Sequence, residues 1–520
     1  MLDEAHRFVR ADVRLAAGRI ERIAPHLEPA GDDLDAAGLT LSPGFIDIHS
    51  HSGFSSLLYP QAESKVLAGV TTDVSGNCGT SPFPLVGEVL VRRRDEWEPR
   101  GLTIDWASPA EYFALADAAP SSIHRAMLAG HGTLRAAAVG YADRPATREE
   151  RARMRGLLAE ALEAGVFGLS SGLLYPPGCY ADVEELADLA AVCAEAGGLY
   201  ASHIRSEGER LLEALEEFLA VVRRSGVRGQ LSHLKAAGRA NWPKAREAVR
   251  RLRRARDDGL AVTADRYPYL ASMTDLDAML LPPWAVEGGR EDELARLADP
   301  ATRRRLVEEV RRSHPDADAF DSIVVASVGG DDATGAVGRS LHGLGQADGR
   351  DPVEAALDLL LAHDARVTAT HRSMSEENLR LILAEPYVAI GSDSGLRHLP
   401  DGDDGPPRGL AHPRAYGTVG RFLGTYVREA GLVDWQEGIR RLTGLPADIL
   451  GLAGRGRLEE GAWADLVLFD RRTIADRATY RHPWATPAGI RHVFVAGEPV
   501  VLDGRHTGAT PGRLLRREDA

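Results

Sequence analysis

Amphipathic helical stretches and short apolar runs alternate through this chain, and that alternation narrows the fold more than any other feature. Helical patterns cover Arg148 to Ala164, Asp182 to Ala196, Gly208 to Arg224 and Asn241 to Asp257. Thr147 stands three residues before Glu150, and Asp182 three before Glu185, so each pair can cap the amides left open at a helix start. Gly165, Gly197, Gly226 and Gly259 follow the four patterns, where a left-handed residue is wanted to end a helix. Each glycine leads into a strand-like run: Gly165–Ser170, Gly198–His203, Gly229–His233 and Leu260–Asp265. Repeated strand–helix units of this kind imply a parallel sheet, because each crossover returns the chain to the same end. With Phe45–His51, Val70–Gly76, Arg125–Gly130 and Val388–Ser392 the strands number eight, which predicts an α/β protein built on a (β/α)8, TIM-like barrel.

Two parts fall outside the alternation. Residues 287–349, charged and loop-rich, read as an insertion between the seventh and eighth strands. Both ends read as β, over Ala11–Leu15, Gly18–Ile23, Ala464–Phe469 and His492–Val495. The expected organisation is a small β domain from residues 1–42 and 453–520, and a barrel from 43–286 and 350–452. The 44% hydrophobic and 27% charged composition is that of an ordinary globular protein. A net charge of −14 argues against nucleic-acid binding, and no apolar run is long enough to span a bilayer. Three cysteines cannot form a disulfide framework, and Met1 to His6 lacks the marks of a signal peptide, so a reducing cytoplasm is the expected location.

The polar residues gather at strand ends. His49 and His51 are two apart and so share one face of their strand, while Ile46 and Ile48 take the other. Strand two runs into Cys78, strand five ends at His203, strand six at His233 and strand eight at Asp393. Any one of these alone is more simply a structural residue. Six metal-capable side chains at the C-terminal mouth of one barrel are not, since each polar group left unpaired there costs roughly 1–3 kcal/mol. A metal centre is the expectation.

The pattern resembles the D-aminoacylase (N-acyl-D-amino-acid deacylase) family of the amidohydrolase superfamily over nearly the whole chain. The resemblance rests on PGFIDIHSH (43–51), GVTTDVSGNCGTSPFP (69–84), GLSSGLLYPPG (168–178), YASHIRSEG (200–208), LSHLKAAG (231–238), DRYPYLAS (265–272), GSDSG (391–395) and HPRAYGT (412–418). The C-terminal runs 454–470 and 503–517 fit as well, although the start at Met1 lacks an opening strand that the resemblance implies. Many relatives bridge two metals with a carboxylated lysine from strand four, but Gly168–Gly172 holds no lysine. The resemblance to D-aminoacylases implies that a cysteine from strand two, here Cys78, takes that part.

The resemblance implies zinc-dependent hydrolysis of the amide bond of a small N-acyl-D-amino acid. It places a tight zinc on Cys78, His203 and His233, and a second, weak or optional metal on His49, His51 and Asp393. It makes Asp393 the general base and acid, and Tyr175 a hydroxyl that polarises the substrate carbonyl. Arg414 offers a planar fork for the substrate's α-carboxylate, with Lys235, Tyr267 and Ser272 as the further contacts. Residues 273–289 contain no Lys or Arg but do contain Leu276, Met279, Leu280 and Leu281, so a neutral, apolar D side chain is expected. Asp275 and Asp277 leave a basic side chain open. The long acidic loop between Asp393 and Arg414 reads as a lid or as a displacement of Arg414. Alternatives are a cyclic amidohydrolase of the hydantoinase or dihydroorotase kind, and a scaffold that has lost its chemistry. The sequence expects no nucleic acid and no membrane as partner, and leaves the oligomeric state and the acyl group undefined.

Overall fold

The computed structural model describes residues 8–31, 33–314, 318–347, 349–400 and 409–519. The middle of the acidic loop expected as a lid, 401–408, lies outside the described residues.

Eight strands run parallel: β1 Phe45–Asp47, β2 Val70–Ser75, β3 His124–Met127 with its continuation Ala129–Gly130, β4 Gly168–Gly172, β5 Leu199–His203, β6 Arg228–Ser232, β7 Val262–Arg266 and β8 Val388–Ile390. They form two arcs, one of β1, β2 and the first part of β3, the other from the continuation of β3 through β4, β5, β6 and β7 to β8. The arcs meet twice. The Phe167 amide donates to the Met127 carbonyl at 2.8 Å, and the Asp393 amide to the His49 carbonyl at 2.8 Å. A parallel bridge between Ser50 and Ser394 extends the second meeting.

The helices begin and end where side-chain chemistry dictates. Thr147 and Glu150 form a reciprocal cap at the start of Arg148–Ala164, and Asp182 accepts from the Glu185 amide at 2.8 Å before Val183–Glu195. Gly165 (φ 112°) and Gly226 (φ 71°) close their helices in the left-handed region. Helix Leu211–Ser225 turns Leu211, Ala214, Leu215, Phe218, Leu219 and Val222 inward, the three-and-four spacing of one buried stripe. That stripe packs into a core shared with Leu169, Tyr200 and Leu231 of the strands.

Two antiparallel units flank the arcs. Thr40–Pro43 pairs with Leu466–Phe469, which pairs in turn with Ile490–Val495, then Glu498–Leu502, then Arg505–His506, in one five-stranded sheet joining segments from both ends of the chain. The hairpin Asp12–Ala16 and Arg19–Ala24 leans on it through the Ile20 amide, 2.9 Å from the Ala462 carbonyl. Between β7 and β8, Val367–His371 lies between Ser272–Asp275 and Ile323–Val328 in a three-stranded sheet backed by helices. Leu276, Leu280 and Leu281 are buried in this lobe's core with Leu297, Leu306 and Leu357, and Met279 packs against it. The leucines on which the expected apolar D side chain rested are thus engaged in the lobe's core. Among the described residues, no helix is long and apolar enough to cross a membrane.

Candidate metal centre and active site

The expected ligands converge where the strands end. His49 is fully buried just beyond β1, and its Nε2 lies 3.4 Å from Cys78 Sγ and 3.4 Å from Asp393 Oδ1. His51 Nε2 reaches the same Asp393 oxygen at 2.9 Å. His233 Nε2 faces Asp393 Oδ2 at 3.2 Å and Cys78 Sγ at 3.9 Å. The donor atoms of His49, Cys78, His233 and Asp393 thus lie within 4.8 Å of one another. His203 stands beside them, its ring 4.8 Å from that of His233. Cys78 and Asp393 reach the centre from left-handed backbone, at φ 51° and 52°. The end of β4 makes room for this: a Cβ on Gly172 would stand 2.1 Å from the Cys78 carbonyl oxygen.

The donor set fits a transition metal. A thiolate, neutral imidazoles and a carboxylate suit zinc and its neighbours. The electrostatics agree. Burial would raise the Cys78 thiol, but His49 and hydrogen bonds with His203 and His233 outweigh it and hold Cys78 well below its usual range. Burial and Lys235 push His233 down, yet Asp393, Cys78 and Glu207 lift it to about 10. Against burial, Arg414 and His233 keep Asp393 well below the carboxylate range. The directions share one cause, opposite charges crowded at one point, and a divalent cation there would favour the same thiolate and carboxylate.

Two carboxylates behind the imidazoles were not read from the sequence. Asp265 Oδ1 lies 3.0 Å from His49 Nδ1, while Gln230 and Ser232 donate to its other oxygen at 2.6 and 2.9 Å. Glu207 Oε1 lies 3.1 Å from His233 Nδ1 and 3.7 Å from His203 Nε2. Each can hold the proton on the far nitrogen and leave the near one free to bind a metal, the usual support of a ligating histidine. Glu207 stands in the same SHIRSEG run as His203, and Asp265 opens DRYPYLAS.

The expected substrate contacts lie alongside. Arg414 Nη1 is 2.6 Å from Asp393 Oδ2, and its Nη2 donates to the Met273 carbonyl at 3.3 Å, leaving Nε buried without a partner. Its guanidinium stands 4.7 Å from the centre of the Tyr267 ring, and the Tyr267 hydroxyl is also buried and unpartnered. Tyr175 places its ring 5.1 Å from that of His203 and its hydroxyl 3.2 Å from Thr274 Oγ1. Burial, then Cys78, raises the Tyr175 phenol well above its normal value, so it keeps its proton as a donor. Ser272 is half-buried on the same strand as Thr274, two residues away and on the same face. Lys235 is already engaged: its ammonium pairs with Glu207 and contacts His233 Nδ1.

Comparison with known proteins agrees with this geometry. The model of the amidohydrolase family matches residues 34–501. An N-acyl-D-glutamate deacylase of Alcaligenes xylosoxydans xylosoxydans is 37% identical over 98% of this chain and 93% of its own. An N-acyl-D-glutamate deacylase from Bordetella bronchiseptica, solved with zinc and a phosphonate inhibitor, is 34% identical over 98% of this chain and 95% of its own, with a TM-score of 0.79. A D-aminoacylase studied for its binuclear metal centre is 31% identical over 97% of this chain and 95% of its own, with a TM-score of 0.78. A likeness that spans the ligand-bearing strand ends and the terminal sheet alike makes this chain a member of the amidohydrolase family.

Proposed function

We propose that the protein hydrolyses the amide bond of N-acyl-D-amino acids in a metal-dependent reaction. The observation that carries this reading is the meeting at Asp393 of the histidine and cysteine cluster with Arg414, which joins a hydrolytic centre to a carboxylate fork. The names of full-length relatives support the substrate class and the D configuration. We read the two arcs as one closed (β/α)8 barrel, with a small β domain from residues 1–42 and 453–520 whose stretch 511–515 returns to pair beside β3. The insertion of 287–349 extends to a lobe that takes in Ser272–Asp275 and Val367–His371.

Cys78, His203 and His233 would hold one zinc tightly, with His49, His51 and Asp393 forming a weaker, optional position. When bound, the metal would supply Lewis acidity and make water acidic enough to act as a nucleophile near neutral pH. Tyr175 donates its hydroxyl hydrogen to the substrate carbonyl oxygen, where charge develops during attack. Arg414 and Tyr267 hold the α-carboxylate, with Ser272 and the Lys235–Glu207 pair beside them. Asp393 takes the proton of the attacking water as the C–O bond forms and passes it to the nitrogen as the C–N bond breaks. A thiolate at Cys78 fits a reducing compartment such as the cytoplasm.

The neutral side-chain preference now rests on Met273 and on the lack of Lys or Arg in residues 273–289, since the leucines serve the lobe's core. The cyclic-amide reading finds no support at β4, where Ser170 bonds the Gly76 carbonyl and Ser171 lies 2.8 Å from the Tyr200 hydroxyl. The test is amine release from N-acetyl-D-methionine and N-acetyl-L-methionine by zinc-loaded protein, followed by the D-glutamate and D-arginine derivatives. Release from the D form alone is expected. No release from any linear amide, with zinc bound, would overturn the reading.

A further inference from the structure

Lys65 stands out among the buried groups that the proposed chemistry does not use. It lies in the short helix Glu63–Val66, is 2% exposed, and directs its ammonium toward the back of the metal centre. There it pairs with Asp47, donates to Ser392 Oγ at 2.5 Å and to the Ser394 carbonyl at 3.0 Å, and stands 3.6 Å from Asp73. Asp47 completes the arrangement by accepting from the Ser392 amide at 2.8 Å. The two serines are the residues on either side of Asp393. Asp393 itself sits at φ 52°, a left-handed conformation that a residue other than glycine keeps only when its surroundings impose it. One cation therefore grips the chain immediately before and immediately after the strained residue, and anchors it to the end of β1, which leads to His49.

We infer that Lys65, acting through Asp47, Ser392 and Ser394, is a positioning residue that holds Asp393 in its left-handed turn, and so in reach of both the metal-binding histidines and the reacting water. The inference rests on the proposed role of Asp393 in proton transfer. Lys65 touches neither substrate nor metal ligand. Its effect reaches the reaction only through where Asp393 stands, and a misplacement of about 1 Å at such a group costs on the order of 100-fold in rate.

Three variants test it: Lys65→Met, Lys65→Arg, and Lys65→Met/Asp47→Asn, which removes the buried cation and anion together should the single change not fold. For each, kcat, KM and bound zinc are measured, together with the affinity for a second equivalent of Co2+ followed by absorption. In the methionine variants kcat should fall about 100-fold with KM and the first zinc unchanged. The second Co2+ should bind about tenfold more weakly as Asp393 leaves its place. Lys65→Arg should recover part of both, since it returns a cation with donors for Asp47 and Ser392 to the same position. Wild-type kcat and Co2+ binding in the folded double variant would overturn the inference, as would a joint loss of zinc, KM and kcat that Lys65→Arg does not repair. Asp393→Asn is measured alongside. If it stays active, the proton-transfer role fails, and the Co2+ affinities alone then decide whether Lys65 places Asp393.

Discussion

Two acidic regions of this molecule are displaced in opposite directions. At the metal centre, Asp393 is buried and yet held well below the carboxylate range, because Arg414 and His233 face it. In the lobe between β7 and β8, Glu293 is 5% exposed and is raised to about 8, by burial first and then by Asp277. One of its oxygens has no hydrogen-bond partner. Burial penalises both groups alike, so the sign of the neighbours decides the outcome. The centre concentrates cations around its carboxylate and keeps it charged, the form that binds a metal. The lobe sets carboxylates against one another and favours the neutral form.

The strongest way to break this contrast is to remove the charge at the centre. Asp393→Asn should keep zinc at Cys78, His203 and His233 while kcat falls by about 10²–10⁴-fold, measured by amine release at fixed metal content. Retained turnover would move proton transfer to another group. Next in size, Arg414→Met should lower kcat/KM by about 100-fold, chiefly through KM, as the carboxylate fork is lost. A KM that does not move would detach Arg414 from the substrate. Metal binding sharpens the comparison by another route. Zinc added to apoprotein near pH 7 should release protons from the histidine cluster, visible by calorimetry in buffers of different ionisation enthalpy. Enthalpies independent of buffer would mean that the imidazoles hold no protons to give up.

The smallest effect belongs to the lobe. Glu293 has a folded pKa above its unfolded one, so its contribution to stability is complete below about pH 4.5 and is lost progressively as pH rises to about 8. Glu293→Gln should therefore melt higher than the parent at pH 8, by about 1–2 kcal/mol, and show little difference at pH 4.5. Equal melting at both values would show that Glu293 finds a cation the contrast overlooks.

Much of this was legible from residue order alone. The beat of helices and strands fixed which positions stand at strand ends, and His49, His51, Cys78, His203, His233 and Asp393 then had one mouth to meet in. The supporting residues were not legible in the same way. Lys65 in ESKVLAG looks like any solvated helix cation, and only the return of the chain 327 residues later, at Ser392, makes it a clamp. Asp265 meets His49 across 216 residues, so no local pattern announces the pair. Leu276, Leu280 and Leu281 were ambiguous for a related reason. An apolar side chain that walls a pocket and one that fills a core carry the same signature until a neighbouring helix is seen to cover them.

The meeting of distant segments also bears on how the molecule is made. The Arg125 amide donates to the Arg513 carbonyl at 2.9 Å, and the Leu515 amide to the Arg125 carbonyl at 2.7 Å, so β3 takes an edge partner from near the far end of the chain. His124 and Arg513 stand 389 residues apart. At a synthesis rate of about 5–20 residues per second, the ribosome delivers that partner roughly 20–80 s after β3 has emerged. For that interval a strand of the central sheet shows an open edge to every other nascent chain nearby. Residues 513–515 therefore cover this edge late in translation, long after β3 has been made.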